Sequence, residues 1–180
     1  MTVSTRFSFV VRRVCVSAAT LLCATFLATQ AHAGEGWVLD GEAGLGTGLE
    51  GGDGGTGKIG WRLARLRVVG GLDMRTDEDH SDGIRVRAFA EIQKRGAVGA
   101  EAGYTRWISP RFGVFAGLVG TVVPETLFGG GFGARFSIPL GKRTGLFIEP
   151  SFDALPVGSD LPGKSILLWG LVTVGINVGL

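Results

Sequence analysis

Two stretches of this 180-residue chain carry residue types that chemistry uses. Asp77-Glu78-Asp79-His80-Ser81-Asp82 sets four carboxylates around a histidine and a serine. A hard cation such as calcium needs oxygens converging on one point, which neighbouring residues achieve only around a glycine-turned loop with spaced ligands. That spacing is missing, so the run reads as a solvated link between strands and no metal is expected. Gly52 to Lys58, GDGGTGK, matches the G-x-x-x-x-G-K spacing of a phosphate loop. Such a loop needs a Ser or Thr next, for magnesium, and a helix whose N-terminus faces the phosphate. Ile59 follows instead and opens an apolar alternation. The segment reads as a flexible hairpin loop, and neither a nucleotide nor another cofactor is expected.

The other ionisable residues alternate with apolar ones. Asp40, Glu42, Arg65, Arg67, Arg85, Arg87, Glu91, Glu101, Arg135, Glu149 and Asp153 all lie opposite apolar stripes. Charges taken out of water must pair or become very costly. Brought into one confined space, these residues are expected to form an ion-pair network that plugs and rigidifies, with no catalytic residue among them. Asp40, Glu42, Arg65, Arg67, Arg85 and Arg87 are expected in its lower half. Glu91, Glu101, Arg135, Glu149 and Asp153 then continue it upward.

Period-two alternation is the mark of strands, whose side chains point alternately to opposite faces. No window shows helical periodicity. The cleanest case ends the chain, where Val172, Val174, Ile176, Val178 and Leu180 alternate with Thr173, Gly175, Asn177 and Gly179. Terminal residues fray unless docked, and a closed barrel docks its last strand on its first. Seven more strands precede it, over residues 37–49, 58–72, 84–93, 98–105, 112–122, 128–140 and 146–154. In the second, parity switches from Ile59, Trp61 and Leu63 to Leu66, Val68 and Leu72, which a β-bulge near Leu63 or Ala64 would reconcile. The links read as Glu50–Gly57, Asp73–Gly83, Lys94–Gly96, Ser109-Pro110, Pro124–Leu127, Gly141–Arg143 and Pro156–Lys164. Trp37, Trp61, Tyr104, Trp107 and Trp169 near strand ends suit an interfacial aromatic girdle, though ordinary strands favour the same residues.

The first 33 residues read as a cleaved export signal. Arg6, Arg12 and Arg13 precede an uncharged apolar core, Val14 to Ala28, and Ala31-His32-Ala33 supplies small residues for cleavage. That core is shorter than the roughly 20 residues a membrane-spanning helix needs. Residues 34–180 then form a single barrel domain. Both cysteines, Cys15 and Cys23, lie in the signal, which leaves no disulfide, thiolate metal site or cysteine nucleophile. With those three of the 18 Lys and Arg gone, the basic and acidic groups nearly balance, so no nucleic-acid partner is expected. All 32 glycines remain in the mature part, interleaved with apolar residues, as a narrow barrel interior requires.

Two architectures suit eight such strands: a soluble lipocalin-like barrel with its apolar face around a ligand, or a membrane barrel with that face toward lipid. Glycine beside long charged side chains is what a narrow interior needs, so the charges are placed inside. The expected fold is all-β, an eight-stranded antiparallel up-and-down transmembrane β-barrel. Along residues 34–180, the signal, the eight alternating strands and the terminal strand resemble the eight-stranded bacterial outer-membrane barrels of the OmpA and OmpX type. That resemblance implies export through the Sec pathway, outer-membrane location with both termini periplasmic, and no enzyme activity. It implies outer-membrane lipid and the barrel-assembly machinery as partners, with Val172, Val174, Ile176, Val178 and Leu180 as the insertion-signal strand, in a monomer. An exported apolar-ligand carrier is the alternative. A second is an envelope-lipid-modifying barrel enzyme using His80 and Ser81, but that link falls on the periplasmic side of the expected topology.

Overall fold

The computed structural model describes residues 37–53, 59–64, 66–76, 81–92, 96–159 and 165–180. Alternation folds them into β1 Trp37–Asp53, β2 Ile59–Leu63, β3 Arg67–Thr76, β4 Asp82–Glu91, β5 Ala97–Ser109, β6 Phe112–Val123, β7 Leu127–Pro139, β8 Thr144–Gly158 and β9 Leu167–Gly179. From β3 onward each strand pairs antiparallel with the next, and β9 returns to β1 from Asp40↔Gly179 to Gly52↔Leu167. β2 and β3 both pair with β1, at Leu49↔Leu63 and Gly46↔Arg67. Two residues of β1 lie between those pairs and three of the opposing segment, so β2 and β3 are one stave interrupted by a bulge. The parity switch read at Leu63 or Ala64 lies there. The Ala64 amide donates to Gly48 O at 2.9 Å, and Thr47 Oγ1 donates to Ala64 O at 3.3 Å. The result is an all-β, closed, eight-stave antiparallel barrel.

The register fixes the barrel's width. Paired residues run Asp40, Asp73, Arg85, Gly103, Gly117, Gly131, Asp153, Trp169, Glu50, returning to β1 ten residues further on. With a rise of about 3.3 Å per residue and strands about 4.8 Å apart, that stagger tilts the staves by roughly 40°. Such a barrel is just wide enough for side chains to fill.

Sidedness follows from parity. Ile84 and Val86 on β4, Val114, Leu118 and Val122 on β6, Phe128, Phe132, Phe136 and Ile138 on β7, and Val172, Val174 and Ile176 on β9 are exposed on the outside. Glu42, Arg67, Arg85, Arg87, Arg135 and Glu149 are each buried in the lumen. A soluble carrier of the lipocalin kind would have the reverse arrangement. Inward glycines crowd β5 to β7, and a Cβ at Gly99 or Gly133 would overlap the ring of Phe89 or Phe115. Their absent side chains are the space those rings occupy.

Several strands run further than the residue types suggest. β1 continues to Asp53, β8 to Gly158, and β3 to Thr76, into segments that read as polar links. Residues 1–33, read as the export signal, lie outside the described residues.

Candidate functional site

The lumen is built in levels between the end where β1 starts and β9 stops, here the terminal end, and the opposite loop end. At the loop end the inner faces contribute Phe89, Val119, Leu127, Leu155, Trp169 and Leu171, a buried apolar cluster. Phe89 and Trp169 meet edge to face at 6.4 Å, and Trp169 Nε1 donates to Glu50 at 3.3 Å. Glu50 also accepts from Arg62 Nε at 2.8 Å.

The central level is ionic. Arg87 on β4 holds Glu42 on β1 through Nε and through Nη2 at 3.1 Å, and donates from Nη2 to Glu149 on β8 at 2.8 Å. Arg85 grips Glu149 with both terminal nitrogens, each at 3.0 Å. Arg135 on β7 reaches Glu42 from the far wall. Each of the two carboxylates therefore accepts hydrogen bonds from two guanidiniums, and all five side chains are buried. Toward the loop end, Arg67 binds Glu101 at 3.1 Å and Glu91 at 3.3 Å, and Arg85 approaches Glu101 at 3.5 Å. The brace thus ties β1, β3, β4, β5, β7 and β8 together.

Aromatic rings carry the guanidiniums. Arg85 lies 3.5 Å from the centre of Phe115, Arg67 is 3.9 Å from Phe89 and 4.5 Å from Trp169, and Arg135 is 4.1 Å from Phe147. A cation over a ring face gains electrostatic attraction that grows when water is excluded. At the terminal end Arg75 binds Asp40 at 2.6 Å, approaches Asp73 at 3.6 Å and lies 4.2 Å over Trp107.

The eleven residues singled out from the sequence fall as follows. Glu42, Arg67, Arg85, Arg87, Glu91, Glu101, Arg135 and Glu149 join one network. Asp40 faces the lumen but pairs with Arg75, in a separate cluster. Asp153 faces inward and is buried, with no ion pair among the described residues. Arg65 lies outside the described residues. Heights differ as well: Arg67 belongs with Glu91 and Glu101 toward the loop end, while Arg135 and Glu149 sit at the centre with Glu42. The stagger is the reason, because pairs form across a narrow lumen more than between adjacent staves.

Asp73 and Arg75 were hidden because their polarity beside a turn resembles a link, although they alternate with Leu72 and Met74. Two tryptophans expected as girdle candidates, Trp107 and Trp169, point into the lumen and are 6% and 2% exposed. Trp61 and Tyr104 face outward, and the side chain of Trp37 lies outside the description. In the acidic run, residues 77–80 lie outside the described residues. Asp82 sits on the barrel's outer face, where it accepts from Arg106 at 2.6 Å and from the Tyr104 hydroxyl. After the glycine-rich segment, Ile59–Leu63 is a strand, so no helix N-terminus faces the loop as a phosphate site requires. Along the closing strand, Val172, Val174, Ile176, Val178 and Leu180 face outward, and the Leu180 amide donates to Leu39 O at 2.9 Å.

No protein-family model matches the chain, and no curated protein matches it. Among solved structures it is similar to one described as "De novo design of transmembrane beta-barrels". That likeness has 14% identity and a TM-score of 0.46, over 79% of this chain and 95% of the other.

What the arrangement does chemically is hold charge against charge. The carboxylates of the central brace are occupied by guanidiniums, and no group of three or more His, Cys, Asp or Glu suited to a metal occurs among the described residues.

Proposed function

We propose that this chain is an integral outer-membrane β-barrel with a structural or surface-interaction role, its lumen plugged by the ion-pair brace, and not an enzyme. One observation carries the reading: the outer face is an apolar belt of membrane height. On β7 the outward positions from Phe128 to Ile138 are Phe128, Gly130, Phe132, Ala134, Phe136 and Ile138. The ten steps between them, at about 3.3 Å each and tilted by roughly 40°, rise about 25 Å, the height of the lipid-facing band of such barrels. A belt of that kind left in water would be an apolar surface far beyond what soluble monomers tolerate. The polar cluster Asp82, Tyr104 and Arg106 stands at the terminal-end margin, where headgroups would begin.

On this reading the chain is exported by the Sec pathway, and the barrel-assembly machinery inserts it through its closing strand. It sits as a monomer in lipid with both termini periplasmic. Cell fractionation tests this. The mature protein should stay with outer membranes through carbonate and salt washes, require detergent, and migrate differently on gels before and after heating. Release by carbonate or salt alone would instead favour an exported soluble carrier.

A further inference from the structure

Among the described residues, the two ends of the lumen differ in size and sign. At the loop end the opening holds about 120 Å³ and is lined by Glu50, Glu91 and Glu125 with Arg62. At the terminal end a cavity of about 890 Å³ opens, within the range of small-ligand sites. Arg75, Arg111, Lys142 and Arg143 line it, against one described side-chain carboxylate, Asp40, which Arg75 already holds at 2.6 Å, and the main-chain carboxylate of Leu180. Arg111 stands on the turn between β5 and β6, and Lys142 and Arg143 on the turn between β7 and β8. None of these three has an ion-pair partner among the described residues.

The cavity wall also holds polar groups without partners. Trp107 Nε1, Ser137 Oγ and Asn177 Oδ1 have no hydrogen-bond partner, although Trp107 is only 6% exposed. An indole N–H can only donate and a hydroxyl can donate, whereas Asn177 Oδ1 is an acceptor. Buried polar groups normally find a partner. Donors in the wall and cations on the rim call for the same thing, an oxygen-rich anion.

We propose that the terminal-end vestibule binds a small oxyanion, a carboxylate or phosphate group carried by a water-soluble ligand. Arg111, Lys142 and Arg143 draw it in, and Trp107 and Ser137 donate to it above the Arg75–Trp107 stack. The lining runs from the lumen to outward residues such as Ile138 at the rim, but Trp107 and Ser137 lie on its lumen side, which favours a soluble ligand over a lipid headgroup. It does not depend on which membrane holds the barrel.

The test uses the full barrel in zwitterionic detergent with 5-fluorotryptophan at every tryptophan, read by ¹⁹F NMR. Trp107→Phe identifies the Trp107 resonance. Titration with inorganic phosphate should shift that resonance saturably and leave the outward Trp61 signal in place. Sodium chloride at matched ionic strength should shift neither signal. The Arg111→Ala, Lys142→Ala, Arg143→Ala triple variant should weaken the response by about tenfold, and Arg111→Gln alone should weaken it less. The single variant serves if the triple variant does not fold. A second arm adds phosphatidylglycerol to the detergent without phosphate, and there Trp107 should not respond. Three results would overturn the proposal: no saturable shift up to about 100 mM phosphate, an equal response to chloride, or unchanged binding in the folded variants. So would a Trp107 response to the lipid but not to phosphate, since that would place a headgroup in the site.

Discussion

Arg87 is the residue whose loss should be felt most. Its guanidinium bridges Glu42 and Glu149, and all three side chains are 2% exposed or less. Arg87→Ala leaves two buried carboxylates that had shared it. Breaking a buried pair by removing one partner costs about 3–5 kcal/mol. Glu149 keeps Arg85 at 3.0 Å and Glu42 keeps Arg135, which places the expected loss near the lower bound. With a urea m-value of about 2 kcal/mol per molar, about 3 kcal/mol lowers the midpoint by roughly 1.5 M. The assay is urea unfolding of the barrel refolded in lipid vesicles, followed by tryptophan fluorescence and by the heat-modifiable gel band. Arg106→Ala is the control, because Arg106 pairs with Asp82 on the outer surface with 55% of its side chain exposed. Its midpoint should barely move. Adding Glu42→Gln to Arg87→Ala should recover part of the loss, since coupled sites do not add. If Arg87→Ala unfolds at the parent's midpoint, the brace does not stabilise the barrel.

Glycine supplies an independent check on the lumen: Gly99→Ala sets a Cβ against the Phe89 ring and the Gly120 carbonyl and should cost about 1–3 kcal/mol. Gly170→Ala meets nothing within 4 Å, so its unfolding midpoint should match the parent's to within about 0.5 kcal/mol. Purified protein in planar bilayers should give no large uniform conductance steps, because side chains fill the centre; regular steps would contradict a plugged lumen. Cysteine at Ser159, at the loop end, should label with a membrane-impermeant maleimide in intact cells, whereas cysteine at Lys142 should label only after the outer membrane is opened. The opposite pattern would invert the topology.

Sidedness was legible because strand parity is strict: once Arg85, Arg87 and Phe89 alternate with Val86, Ala88 and Ala90, one face decides the other. The bulge was legible for the same reason, as a break in parity at Leu63 to Leu66. The partners inside the lumen were not. Arg135 meets Glu42 across 93 residues, and that contact depends on the ten-residue stagger, which no local pattern encodes. Trp107 and Trp169 looked like belt residues because composition near a strand end cannot say which wall has room. Trp107 turns inward over Gly113, where the opposing strand has no side chain. Asp73 and Arg75 needed the period followed two residues further into a stretch whose polarity suggested a turn.

The most direct test of a membrane barrel with its apolar face outward is a depth profile along β7. Nitroxides placed one at a time at Phe128, Phe132, Phe136 and Leu140, in the barrel refolded into lipid vesicles, can be compared for collision with oxygen and with a water-soluble nickel chelate. Oxygen contact should peak and nickel contact should be lowest at Phe132, with nickel contact rising toward Phe128 and highest at Leu140. If nickel reaches Phe132 as freely as Leu140, that face lies in water and the barrel does not span the membrane.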